Sequence, residues 1–380
     1  MKEITYTNAK VVLAESVIDG TVVAVDGFIA DVVKGRNRTG DAIDFEGDYL
    51  LPGLIELHTD HLEAHFSPRP KVQWPADAAV VAHDAQIVAS GITTVFDALR
   101  VGNVRGEDSA SQHMGLLAAA IRDAKKNGRL RADHLVHLRC ELACEDTVSG
   151  LAELIDGAGV RLISVMDHTP GQRQFVNLVK FREYYQGKVG FNDAEMQTFI
   201  AERHEACGRL SVPNRTKVVA MARERGIPLA SHDDATSDHV EEARREGASI
   251  SEFPTSVEAA EAARTSGLMV LMGAPNVVRG GSHSGNVSAL DLARRGLLDI
   301  LSSDYVPYSL LQAAFALPQY DTGIDLPAAI RTVTANPAAA VGLEDRGSIA
   351  VGMRADLIRI CLDGAFPVMR SAWRQAERVM

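Results

Sequence analysis

The sequence predicts an α/β fold, a (β/α)8 barrel with a small flanking β-sheet domain built from both termini. Three observations carry this. Eight short apolar runs alternate with segments of helical periodicity through the middle of the chain. The first follows a Pro-Gly turn and breaks into two metal-ligand residue types, His58 and Asp60, which alternation puts on one face of a strand end. The two ends of the chain share a different grammar of brief β-rich runs with Gly and Asp-Gly punctuation.

In chain order, runs at 4–7, 11–13, 21–25 and 28–33 read as short strands, and 347–361 returns to the same pattern, so residues 1–50 and 346–380 are expected to form one flanking sheet domain. The barrel is expected over 51–345, with strands at 54–58, 92–97, 135–141, 162–166, 227–232, 250–253, 268–272 and 298–304. Helical patterns at 111–126, 218–225 and 257–264 fall between them. The fourth connection is long: 174–210 carries Phe175, Leu178, Phe181, Tyr184 and Tyr185 and reads as an excursion over the barrel mouth.

A chain of 380 residues that is 46% hydrophobic can bury a large core. No apolar stretch reaches the roughly 18–20 residues that span a bilayer. The chain opens on a strand pattern, so a cytoplasmic location without a membrane partner is expected. A net charge of -11 argues against nucleic acid as the partner. Cysteines 140, 144, 207 and 361 lack metal or disulfide spacing and read as reduced packing residues.

Five strand ends offer ligand types: His58 and Asp60, Glu141, His168, His232 and Asp304. Each alone reads as well as a cap or a satisfied hydrogen-bond partner; their convergence at one rim is the signal. On the third strand His137, Arg139 and Glu141 share the inward face, and a buried Arg139 is expected to pair with Glu56. Asp97 reads as a carboxylate supporting the ligands, the acidic residues after His232 as orienting it or starting a helix, and His61 and His65 as substrate contacts or surface histidines. Two loops suit an anion: Arg69 and Lys71 lie beyond the first ligands, and Arg279 through His283 follows the seventh strand with a Gly-Gly pair.

The assembly resembles the amidohydrolase superfamily of metal-dependent TIM barrels, with the Leu51-Pro52-Gly53 opening, the Gly-Ile-Thr-Thr strand and terminal Asp304. It departs from that pattern in carrying His58-Thr59-Asp60 for His-x-His and no lysine at the fourth strand end; Glu141 is positioned to replace the lysine's bridge. With Pro68-Arg69-Pro70, Leu138-Arg139-Cys140-Glu141, the 166–174 and 231–236 segments and Gly273-Ala274-Pro275-Asn276, the chain is similar to the PhnM family of phosphonate utilisation. The resemblance implies hydrolysis of alpha-D-ribose 1-methylphosphonate 5-triphosphate, a small phosphorylated sugar, to the 5-phosphate and diphosphate in the carbon-phosphorus lyase pathway. It implies two divalent ions, with zinc ahead of manganese and iron, held by His58, Asp60, Glu141, His168, His232 and Asp304. Asp304 and Glu141 are the catalytic expectations and Arg69, Lys71, Arg173, Arg279 and His283 the substrate contacts; a homodimer is the candidate assembly. A cyclic amide hydrolase and a non-catalytic scaffold of the same fold are the competing readings.

Overall fold

The computed structural model describes residues 2–37, 40–104, 113–157, 159–175, 177–282 and 285–380. The N-terminal strands are β1 (Glu3–Val12), β2 (Val17–Val25), β3 (Phe28–Lys34), β4 (Ile43–Asp44) and β5 (Tyr49–Pro52). Eight more follow: β6 (Leu54–Thr59), β7 (Ile92–Val101), β8 (Asp133–Glu141), β9 (Val160–Met166), β10 (Leu229–His232), β11 (Ile250–Glu252), β12 (Met269–Gly273) and β13 (Ile300–Ser302). The C-terminal strands are β14 (Leu357–Asp363), β15 (Phe366–Arg374) and β16 (Glu377–Arg378).

Strands β6 to β13 lie in sequence order and pair in parallel, and an isolated parallel bridge between Thr59 and Asp304 joins the last strand back to the first. The remaining strands form a sheet in the order β16-β15-β14-β5-β1-β2-β3, with β4 beside β1, so both chain ends contribute to it as the sequence predicts. The passage between the sheets is one tight link. Gly53 sits against the side chain of Thr93, where any Cβ would collide, and its N–H donates to Asp356 O at 2.8 Å.

Closure of the barrel depends on Glu56. Its buried carboxylate accepts from Ser302 Oγ at 2.7 Å, Ser303 N at 2.5 Å and His58 N at 2.6 Å. Burial raises its pKa to about 7 against these bonds. The expected Arg139–Glu56 pair does not form: serine and backbone donors satisfy Glu56, and Arg139 turns to Asp60, 3.7 Å away. Ile55, Leu57, Phe96, Leu162, Ala230, Ile250, Leu271 and Ile300 pack as one cluster across the strands.

The long connection after β9 is helical, Leu178–Val189 then Asp193–Glu224. The second helix runs through Pro213; the missing N–H costs one bond, and the neighbouring turns continue. Phe175, Phe181, Tyr185, Met196 and Phe199 make its own small core beside Cys144. No helix among the described residues is long and apolar enough to cross a membrane.

A second polar cluster lies between the barrel and the helix Ala76–Ala89. Asp97 accepts from His83 Nε2 and from His134 Nδ1, both at 2.8 Å, and His134 Nε2 reaches Asp84 at 3.3 Å. Asp97, expected to support the rim ligands, therefore serves the helix layer. Burial works against charge on His134, but the Asp97 and Asp84 carboxylates prevail and raise its pKa to about 9. The imidazolium thus contributes stability in full below the ordinary histidine pKa of about 6.5 and loses it as pH rises through about 9. His134→Asn should cost about 3–5 kcal/mol at pH 7 by stranding two buried carboxylates. Its melting temperature should also fall less steeply than wild type between pH 7 and 10; parallel profiles in calorimetry would refute the charge assignment.

Candidate metal centre and substrate cleft

The C-terminal ends of the barrel strands open into a cleft lined by His58, Arg139, His168, His232, Asp233, Asp304, Arg279 and Ser282, among others. His58 and His232 are buried, with ring centres 5.6 Å apart. Both give Nδ1 to one carboxylate: His58 to Glu252 Oε1 and His232 to Glu252 Oε2, each at 2.7 Å. His168 gives Nδ1 to Glu141 Oε2 at 2.6 Å. A carboxylate at Nδ1 fixes the proton there and leaves Nε2 with its lone pair, the tautomer a metal requires.

Glu252 is the residue sequence reasoning missed. It ends the shortest kind of barrel strand, Ile250-Ser251-Glu252, and a carboxylate at a strand end in a fully buried run was the available signal. Burial opposes its ionisation, yet His58, His137 and His232 around it hold its pKa well below the usual carboxylate range. Burial alone would equally neutralise His58, whose pKa falls to about 4 with Glu252 opposing the fall.

Glu141 differs from the expected bridge. Its oxygens accept from Arg203 Nη2 at 2.8 Å, Arg100 Nη2 at 3.0 Å, His168 Nδ1 and His168 N. Against the penalty of burial, His168 and the two guanidiniums keep it ionised. With its lone pairs engaged, Glu141 holds His168 in place. Arg203 comes from the long excursion helix, so that insertion completes the site.

Asp233 and Asp304 both have left-handed backbones, φ 58° and 55°. That turn brings Asp233 Oδ2 to 3.3 Å from His232 Nε2 and 3.5 Å from His168 Nε2. Among the described residues this buried oxygen has no hydrogen bond. A buried, unbonded carboxylate oxygen facing two imidazole lone pairs fits a divalent cation. At His168 burial resists charge, but Glu141 and Asp233 favour positive charge there and raise its pKa. Asp304 lies across the mouth, joined to β6 through Asp304 N to His58 O at 3.1 Å and Thr59 Oγ1 to Asp304 O at 2.8 Å. Burial, then the charge of Asp60, pushes its carboxyl well above the usual range. Arg139 relieves this in part.

The structure sorts the expected substrate contacts. Arg279 reaches the cleft wall, with Nη1 3.5 Å from Tyr305 Oη. Arg139, read from sequence as structural, is in the lining with its Nε lacking a hydrogen-bond partner. Arg173 is buried behind the site and outside the cleft lining, with Nη1 2.9 Å from Asp234 Oδ1 and 3.3 Å from His232 O. Arg69 and Lys71 are exposed on the loop after the helix Leu62–Phe66, outside the cleft lining. His283 lies outside the described residues.

An amidohydrolase family model matches residues 89–364. Over 373 residues, 98% of this chain and 99% of the other, the chain is 50% identical to the alpha-D-ribose 1-methylphosphonate 5-triphosphate diphosphatase of Escherichia coli. It is 32% identical to the adenine deaminase of Geobacillus kaustophilus over 107 residues, 27% of this chain and 16% of the deaminase. Among solved structures, the 5-methylcytosine deaminase of Klebsiella pneumoniae superposes with a TM-score of 0.68 at 14% identity, over 99% of this chain and 97% of that one. A Xaa-Pro dipeptidase gives a TM-score of 0.66 at 18% identity over 99% of both.

If Glu252 sets the tautomers of His58 and His232, Glu252→Gln should weaken retention of a divalent ion roughly 10- to 100-fold. Elemental analysis after dialysis checks this, and unchanged metal content would show that the carboxylate does not orient them.

Proposed function

We propose, since the chain belongs to the amidohydrolase family, that it is a metal-dependent triphosphate diphosphatase, hydrolysing alpha-D-ribose 1-methylphosphonate 5-triphosphate to the 5-phosphate and diphosphate in phosphonate catabolism. The observation that carries this is identity of 50% along 98% of the chain to the Escherichia coli enzyme of that name. The site's chemistry supports it: a nest of imidazoles and carboxylates beside guanidiniums suits a phosphoanhydride, whose hydrolysis needs charge neutralised on both sides of the broken bond.

In this proposal His58, Asp60, His168, His232 and Asp304 hold two divalent ions, zinc ahead of manganese or iron, with Asp233 added to the set and Glu141 and Glu252 orienting the imidazoles. Ions held there would lower the pKa of water and offset charge on phosphate oxygens. Asp304, facing the cleft, takes the proton of the attacking water. The oxygen adds to the α-phosphorus, the bond to the bridging oxygen breaks, and diphosphate leaves. Arg139 and Arg279 face the charge of the triphosphate. His283 follows Ser282 in the sequence as a further candidate, while Arg69 and Lys71 await the far end of a long substrate. The barrel, 51–345, does the chemistry, and 1–50 with 346–380 forms the flanking domain. A cytoplasmic setting and a homodimer belong to the same proposal.

Phosphorus NMR of metal-loaded protein with a ribose 5-triphosphate should show diphosphate and the 5-phosphate. Single phosphate release, or ring opening of cyclic amides instead, would replace the proposal. Asp304→Asn and His232→Ala should lose at least about 100-fold in kcat, the lower bound for removing a proton acceptor or an ion. Arg279→Ala should chiefly raise KM for the triphosphate.

A further inference from the structure

We infer that Arg173 is a positioning residue for one ion of the rim centre, acting through the peptide that joins His232 to Asp233; this rests on the two-ion reading above. The segment after β9 carries His168 and then Arg173. Arg173 opens the one-turn helix Arg173–Phe175 with a left-handed backbone, φ 48°. Long side chains rarely adopt that conformation, and such strain persists only where the surroundings hold it. Here the insertion does so: Phe175 packs in its core, and His204 Nε2 lies 2.8 Å from Pro170 O. The guanidinium is thereby held within the protein, where Arg173 is 5% exposed.

Arg173 Nη1 donates to two acceptors, Asp234 Oδ1 at 2.9 Å and the carbonyl of His232 at 3.3 Å. The N–H of that same peptide, on Asp233, donates to Glu252 O at 2.8 Å. Both polar ends of the His232–Asp233 peptide are therefore held, one by Arg173 and the other by β11. Asp233 is itself left-handed, φ 58°, and rotation of this peptide is the direct way for its strain to relax. Relaxation would carry Asp233 Oδ2 away from His232 Nε2 and His168 Nε2, which stand 3.3 and 3.5 Å from it. Asp234 anchors the guanidinium in turn: its buried carboxylate also accepts from Ser231 Oγ at 2.7 Å and Ser251 Oγ at 3.2 Å, on β10 and β11. Arg173 thus ties the segment that carries His168 to the strand end that carries His232 and Asp233, and the ligand atoms of those three residues converge. Its remaining ion-pair partner among the described residues is Glu242, 3.5 Å away, so His58, Asp60 and Asp304 stand outside its reach.

The test is cobalt bound by the full chain, stripped with chelator, reloaded with Co²⁺ and desalted, with visible absorption reporting ligand geometry. Arg173→Met/Asp234→Asn removes both charges of the buried pair together, so that neither is stranded. It should hold one equivalent as wild type does and bind the second roughly 10- to 100-fold more weakly, with the absorption of that equivalent changed. With the triphosphate, kcat should fall and KM stay near the wild-type value. Arg173→Lys keeps the charge but not the planar fork, so it should fall between the two proteins, and it supplies the reading where the double variant does not fold. Cobalt retention and absorption equal to wild type in either folded variant overturn the inference. So does a raised KM with cobalt unchanged, which would make Arg173 a substrate contact. The cobalt readings need no substrate, so failure of the diphosphatase reading leaves them standing; a wild type that binds no cobalt removes the rim centre and the inference together.

Discussion

The structure depends on buried carboxylates that decide which nitrogen of each histidine is free. Glu252 takes Nδ1 of both His58 and His232, and Glu141 takes Nδ1 of His168. With those protons fixed, three lone pairs face one cleft and nothing else in the fold need orient them. A barrel suits this constraint because its parallel strands, among them β6, β8, β10 and β11, all end at one rim and bring together residues as much as 194 apart in the chain.

Such a cluster of buried charge is stable only if every charge has a counterpart. Glu141 is balanced by Arg100 and Arg203, and Asp60 by Arg139. Arg203 belongs to the helical insertion after β9, so that long connection supplies Glu141 with a second cation beside the one from β7. Strain at Asp233 and Asp304, whose left-handed backbones turn carboxylates into the cleft, is the local cost of the arrangement.

Much of the fold was legible because its signals are local. A Pro-Gly turn, apolar runs of strand length and helical periods announce a (β/α)8 barrel, and the β grammar at both ends announces the flanking sheet. The strand ends also exposed His58, His168, His232 and Asp304 as rim residues. Glu252 escaped notice since one carboxylate in a three-residue strand has no local pattern to mark it. Arg139 and Arg173 show the same limit in opposite senses: one thought structural faces the cleft, and one thought to bind substrate braces Asp234.

The sequence by itself determined the order of strands, the rim as the place of chemistry and the residue types available there, because chain periodicity and turn chemistry act over a few residues. Only the tertiary structure decided which carboxylate meets which imidazole. Those pairings, with the Arg203 guanidinium on Glu141, join β6 to β11, β8 to the insertion helix and the helix Ala76–Ala89 to β7 and β8. Each rests on packing and charge balance between segments far apart in the chain, and neither leaves a trace in local spacing.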